Sequence, residues 1–519
     1  MTARQIFRMK TTVKQYILAG LVVLSSASCS HFDEINSNPD AAVNATAPML
    51  ATKLILNVTD ETISSQKTFM QPFMLGKTIL YTEFAEPQQY NDLGRTSYDV
   101  VPVLTNVEKM LKYAETSSAK DSYTALGAFI RAWKFFNLTM RVGDIPYTNA
   151  LKGESGTIAP TYDTQKQVFQ GILNELDQAN TLFAKGIKFD GDPIYGGDAA
   201  KWRKLVNTFE LHVLLNLYKK TGDADLKVVD RFKEIVASRP IFTSNADNFQ
   251  LIYSDKAGQR YPFHKLGNPS IIYTMVSSTL IDKLKTMDDR RLYYYANPSP
   301  VQITKGKAVN DPTAYIGTDP SMAYADVSKI YATKDYSNVN SRYMELPGGE
   351  PVYLMSYAQL KFMLAEATVR NWISGTPAAT YYSDGITAAM TFTMTNTPND
   401  PLYHHNMPIT ADYIASYVAS DKVKLAGTSE KQIEQIQTQR FISTFLQSPY
   451  DAFFENRRTG YPAFPVNPAS NVNVPGDKLP VRWLYPQSEL DYNGTNVKQA
   501  LTSQFNGNDN TNELMWILK

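Results

Sequence analysis

A long apolar helix that breaks at Gly143-Asp144-Ile145-Pro146-Tyr147 constrains this fold more than any other stretch. Upstream, Tyr123, Leu126, Ile130, Trp133, Asn137 and Met140 recur at three- and four-residue spacing, which puts them on one helix face. Gly143 has no Cβ and is expected to end the helix in a left-handed turn. Pro146 cannot sit in a helix interior and pushes Ile145 toward extended backbone. A helix stopped this sharply makes a rigid corner and turns the chain back on itself. Taken singly, these residues describe a helix end that shapes a core.

The segments around that corner repeat the pattern. Residues 102–116 and 121–142 read as an antiparallel helix pair. Thr164 and Gln167 make a capping-box-like start to a helix whose face carries Val168, Ile172, Leu176 and Ala179. A further helix is expected from about Ala199 to Lys220, with Trp202, Leu205 and Phe209 inward, and a single helix over 47–75. Later, Tyr357, Leu360, Leu364 and Ala367 line one face, and Gln432 to Leu446 reads as another helix. Helix pairs stacked in sequence imply a mostly α fold, a tetratricopeptide-like helical-hairpin scaffold. Between 240 and 350 the periodicity fades and Pro, Gly, Asn and Tyr become dense, so ordered loops and short elements are expected there. The scaffold then occupies mainly 47–225 and 352–450. The loop-rich, irregular subregion occupies mainly 240–350 and 450–519, within one domain spanning 47–519.

The N-terminus reads as a processing segment. Arg4, Arg8, Lys10 and Lys14 precede a short apolar run, Tyr16 to Leu24, and small residues lead to Cys29. The run is too short to span a bilayer, so residues 1–28 read as a secretory signal. Cys29 is the single cysteine of the 519 residues, which rules out an internal disulfide. Its position resembles a bacterial lipoprotein attachment site, and acyl chains on one residue there would hold the protein on a membrane. Residues 29–46 are polar and turn-forming and read as a tether. The formal net charge of +1 removes the electrostatic case for nucleic acid or an anionic membrane surface.

Several motifs carry a family resemblance. Gly143-Asp144-Ile145-Pro146-Tyr147 is one. Ser356-Tyr357-Ala358-Gln359 through Leu364-Ala365-Glu366-Ala367 is another, followed by Trp372, Tyr382 and Gly385-Ile386. Arg457-Arg458-Thr459-Gly460-Tyr461-Pro462 is a third, and Pro480-Val481-Arg482-Trp483-Leu484-Tyr485-Pro486 with Glu489 a fourth; Trp516 closes the series. In this order they resemble the SusD/RagB outer-membrane nutrient-binding lipoproteins, in particular their second large branch. The resemblance implies a surface lipoprotein that binds a nutrient, an oligosaccharide or in some members a peptide. It also implies delivery to a partner SusC-like TonB-dependent transporter in the outer membrane, with a lipid anchor at Cys29 and an outward-facing position. It implies no catalytic residue and no cofactor.

Enzyme motifs are missing. There is no Gly-x-Ser-x-Gly, no His-Glu-x-x-His and no phosphate-cradling glycine loop before Lys-Ser or Lys-Thr. His404-His405 is the one histidine cluster, and a solvated loop is its expected setting rather than a metal site. Glu83 and Glu86 would suit a surface glycosidase only at a defined separation. Arg457-Arg458 is expected to pair with carboxylates or backbone between helices. A glycan-degrading enzyme and a structural adhesin or assembly factor are the competing functional classes. The chain has 32 tyrosines, flat apolar rings with a polar tip that suit sugar faces. Tyr81, Tyr90, Tyr98, Tyr261, Tyr293, Tyr315 and Tyr343 are nominated as ligand contacts; each taken singly is expected to pack in the core, and those that are exposed are expected to cluster on one face.

Overall fold

The computed structural model describes residues 45–60 and 66–519. The signal, Cys29 and nearly all of the tether lie outside the described residues. Within the expected helix over 47–75, the described residues form α1 (Ala47–Asp60) and α2 (Gln66–Leu75). Next come α3 (Thr105–Tyr113), α4 (Lys120–Val142), α5 (Gln165–Phe183), α6 (Ala199–Asn216) and α7 (Val228–Ser238). The helix expected to reach Lys220 stops at Asn216, and a 3-10 turn covers Tyr218–Lys220.

Local chemistry sets these boundaries. Thr164 accepts from the Gln167 N–H, and the Gln167 side chain reaches back to the Thr164 backbone, so the capping box at α5 forms as the spacing predicts. Asp198 caps α6 by accepting from the Ala200 and Lys201 N–H groups. At the corner after α4, Gly143 has φ 95° and ψ −122°, a glycine conformation other than the left-handed helical turn expected. The positive φ favours glycine, and a Cβ there would also stand 2.3 Å from Gln504 Oε1, so that side chain would have to swing away.

α4 and α5 run antiparallel. Arg131 Nε bonds Glu175 at 2.9 Å near one end, and Gln165 Nε2 donates to the Thr139 carbonyl at 3.0 Å near the other. α5 continues onto α6, and α1 packs on α3 and α4. Nearly all of α4 is buried, on both sides and not on one face only. Phe129, Trp133, Phe136, Trp202 and Phe209 fill the core between these helices.

Residues 240–350 are not purely irregular. They contain α8 (Ser278–Thr286) and α9 (Tyr324–Thr333), short helical turns, and strands β2 (Phe249–Leu251) and β3 (Thr274–Val276). β3 pairs antiparallel with β1 (Ile79–Tyr81), and β2 with β4 (Val352–Met355). The scaffold resumes with α10 (Tyr357–Val369), α11 (Ala378–Thr395) and α12 (Ser429–Ser443), followed by α13 (Asp451–Thr459) and α14 (Gly494–Phe505). Ser356 and Gln359 form a second capping box at α10. Residues 47–519 make one compact unit. No described helix is long and apolar enough to cross a membrane.

His404 and His405 are not in a solvated loop. They are 5% and 7% exposed, and His405 Nδ1 lies 2.9 Å from the Tyr293 carbonyl. The turn after residue 401 packs its imidazoles against Tyr294 and Tyr315, which sequence spacing does not reveal.

Candidate ligand-binding face

Six of the seven nominated tyrosines are interior. Tyr81, Tyr315 and Tyr343 are 0% exposed, Tyr261 is 1%, and Tyr90 and Tyr293 are 6%. Tyr98 is half-buried against the helical core. Tyr261 stacks with Tyr343 at 5.9 Å, and Tyr293 meets Tyr315 edge-on at 5.2 Å. A phenol tolerates burial when its hydroxyl finds a partner. Tyr293 donates to the Asn310 carbonyl at 3.2 Å and Tyr315 to that of Val309 at 2.8 Å. Tyr261, Tyr293, Tyr315 and Tyr343 help to build the core of the loop-rich part.

The half-exposed rings gather where β1 meets β3. The register pairs Ile79 with Val276, Leu80 with Met275 and Tyr81 with Thr274. Alternation sends Leu80 and Met275 to one side of the ribbon, where Val327 of α9 and Tyr336 close a small apolar cluster. α9 is thereby fastened beside the ribbon. Thr82 extends the pairing, with its N–H and hydroxyl both donating to the Tyr273 carbonyl at 3.0 and 2.8 Å.

A row of rings results. Phe84 lies 5.4 Å from Tyr81, Tyr81 6.2 Å from Tyr273, Tyr273 5.9 Å from Tyr331, and Tyr331 5.6 Å from Tyr336, the last pair stacked. Tyr81 and Tyr336 are buried, Tyr81 in the larger core and Tyr336 in the small cluster under α9. Phe84 is 39% exposed, Ile272 is 53%, and Tyr273, Tyr324 and Tyr331 are half-exposed. The Tyr324 hydroxyl donates to the Glu83 carbonyl at 2.8 Å, which ties α9 to the loop after β1. Lys334 Nζ sits 4.0 Å from the Tyr331 ring centroid. The Glu83 carboxylate accepts from the Tyr81 hydroxyl, and the Lys334 ammonium lies over the Tyr331 ring, so both charged groups sit against the row. Such a face can stack on the apolar side of a sugar and bond its hydroxyls. Sequence reading missed Tyr273, Tyr324, Tyr331 and Phe84. The seven-residue spacing of Tyr324 and Tyr331, two helical turns, was the signal available.

Among the described residues, His212, Asp451 and Glu455 are a group whose ligand atoms lie within 4.8 Å of one another. Guanidinium groups already neutralise it. Arg440 bonds both oxygens of Asp451, at 2.6 and 3.0 Å, and Arg458 bonds Glu455 at 2.5 Å. A cation would have to displace these pairs. Burial, then the charge of Arg440, lowers the His212 pKa to about 3. Unfolded, His212 takes up a proton near its ordinary value of 6.5, so between pH 6.5 and 3 the unfolded chain binds more protons and stability falls on acidification. A His212→Gln variant is expected to show a flatter decline in urea midpoint from pH 6.5 to 4 than the parent. Parallel declines would remove His212 as a cause.

The profile of the family described as "Starch-binding associating with outer membrane", SusD-like_2, matches residues 39–486. This chain belongs to the SusD-like family. A SusD homologue from Bacteroides fragilis is 44% identical, covers 92% of this chain and 100% of its own, and superimposes with a TM-score of 0.89. A second homologue from the same organism is 36% identical with the same coverage and a TM-score of 0.80. A chitin-binding protein, 23% identical over 91% of this chain and 100% of its own, shares the fold at a TM-score of 0.72. No curated protein matches this chain. The SusD-like family is one of starch- and nutrient-binding proteins associated with the outer membrane.

The SusD-like motifs knit the scaffold and do not line the ring row. Asp144 accepts from the Gln165 N–H at 2.7 Å, and its carbonyl accepts from the Tyr485 hydroxyl at 2.8 Å, which joins the first motif to the fourth. Arg482 is fully buried and pairs with Asp509 at 3.0 Å. Arg458 grips Glu366 of the second motif with two bonds of 2.6 Å, and Arg457 donates to the Met140 and Val481 carbonyls. The expected pairing of Arg457-Arg458 with carboxylates and backbone between helices is what forms.

Proposed function

We propose that this SusD-like chain binds an oligosaccharide without cleaving it, on the face formed by Phe84, Ile272, Tyr273, Tyr324 and Tyr331. It then passes the ligand to a SusC-like TonB-dependent transporter. The observation that carries the reading is the row of rings at 5.4 to 6.2 Å, with Phe84, Tyr273 and Tyr331 reaching solvent and Glu83 and Lys334 in contact with its rings. Lipid attachment at Cys29 and an exterior position complete the proposal, as the tether would keep the face within reach of a membrane partner. The family description and the chitin-binding neighbour name the first ligands to try, maltooligosaccharides and chitooligosaccharides.

Titration calorimetry on the mature chain tests the face. Tyr273→Ala and Tyr331→Ala should each weaken binding by roughly fivefold, about 1 kcal/mol for one lost aromatic contact. Their melting temperatures should stay near that of the parent. Reducing-end assays should find the bound glycan intact. Unchanged affinity in both variants would move the site elsewhere, and new reducing ends would make the protein an enzyme. Recovery of a large TonB-dependent barrel with the protein from solubilised outer membranes tests the partner.

A further inference from the structure

A cleft of ≈ 80 Å³, lined by none of the residues of the ring row, opens between the C-terminal half of α4, the end of α1, α6, and the segment leading into α13. Trp133, Phe136, Phe209, Tyr450 and Phe454 make its walls. The volume is several times that needed for one water and about half that of an engineered cavity that takes benzene. It suits a small organic group.

The charges around the cleft do not balance. Arg141 and Asn137 line it from positions one helical turn apart on α4. Among the described residues, nothing hydrogen-bonds or ion-pairs with the Arg141 guanidinium; instead it stacks 5.1 Å from the Tyr450 ring and 5.7 Å from Trp483. Two aromatic contacts hold its planar fork in one orientation, at little entropic cost to a ligand. Arg457, outside the lining, packs on Phe454 and donates from Nη1 to the Met140 and Val481 carbonyls, with no ion pair of its own among the described residues. Its guanidinium lies 4.7 Å from the Phe454 ring, and its Nε and Nη2 are buried without a partner. The one carboxylate in the lining, Asp451, is already bonded on both oxygens by Arg440. His212, on the same wall, stays neutral. An apolar, aromatic-walled cleft with a net positive end selects anions that carry a flat or short apolar body.

We infer that this cleft is a binding site for a small organic carboxylate, with Arg141 and Asn137 receiving the carboxylate and the ring walls receiving its apolar or aromatic part. The site uses none of the residues assigned to the glycan face, so ligands at the two should not compete.

The test uses the mature chain with benzoate, and with benzyl alcohol as the uncharged control of similar shape, read by titration and saturation-transfer NMR. Benzoate should bind at least tenfold more tightly than benzyl alcohol. Arg141→Gln should remove that preference, Arg141→Lys should restore part of it, and glycan affinity should stay unchanged in both. Should Arg141→Gln fail to fold, Asn137→Ala is the substitute and should weaken benzoate severalfold. Equal binding of benzoate and benzyl alcohol by the parent chain, or a benzoate affinity indifferent to these substitutions, overturns the inference. The first comparison needs no variant and decides the matter even where folding is lost.

Discussion

Glu366→Ala should destabilise the protein by about 3–5 kcal/mol, the cost of stripping one partner from a buried ionic network. Glu366 is 0% exposed on α10. Its Oε1 accepts from Arg458 Nη1 at 2.6 Å and Arg370 Nε at 2.7 Å, and its Oε2 from Arg458 Nη2 at 2.6 Å and Gln437 Nε2 at 2.7 Å. One carboxylate thus joins α10, α12 and α13. Burial alone would push its pKa up, but the charge and hydrogen bonds of Arg458, with those of Arg370, hold it at about 2. Removing it leaves two guanidinium groups and an amide short of acceptors, with only Glu455 to compensate Arg458. The loss should appear as a lower urea midpoint with an unchanged slope. Glu366→Gln keeps the shape but not the charge and should fall between the two. A Glu366→Ala midpoint within about 1 kcal/mol of the parent would show that the network is incidental to stability.

Trp202→Ala is expected to cost a similar amount, about 3–5 kcal/mol, for a different reason. Trp202 is 0% exposed and is ringed by Phe129 at 5.5 Å, Tyr195 at 5.6 Å, Phe249 at 5.9 Å and Phe183 at 6.0 Å. These neighbours come from four separate segments that cannot all move inward, so a cavity would persist. The indole N–H also donates to Asp192 Oδ2 at 2.8 Å, and the same carboxylate bonds the Ile194, Tyr195 and Gly197 N–H groups of the turn before α6. Trp202→Phe should recover most of the packing but not the hydrogen bond. Equal stability of the alanine and phenylalanine variants would mean that the cavity term is negligible and the hydrogen bond carries the effect.

Local features are legible along the chain. The two capping boxes at Thr164 and Ser356 follow from the spacing of Thr or Ser and Gln, because the bonds that make them span three residues. The break at Gly143 is legible as a stop. The side chain that then receives the Asp144 N–H, Gln504, comes from near the other end of the chain and is not. Trp202, Leu205 and Phe209 are buried as their spacing predicts, but α6 is covered on its other sides as well, which the spacing does not predict.

The candidate binding face is not legible in this way. Tyrosine is as suited to an interior as to a platform, and which it becomes depends on what distant segments pack over its ring: among the described residues Tyr261 is sealed in with no partner for its hydroxyl, while Tyr324 stays half-exposed with its hydroxyl on the Glu83 carbonyl. Tyr315 finds the Val309 carbonyl and is sealed in, while Tyr331 lies at the surface with Lys334 above its ring. His404 and His405 were misplaced for the same reason. By itself the sequence determined the helical pairing, the caps and, through motifs that turn out to hold the scaffold together, the family. Only the tertiary structure decided which aromatic rings meet solvent, since that is a property of distant segments brought side by side by β1, β3 and α9, and no periodicity along the chain encodes it.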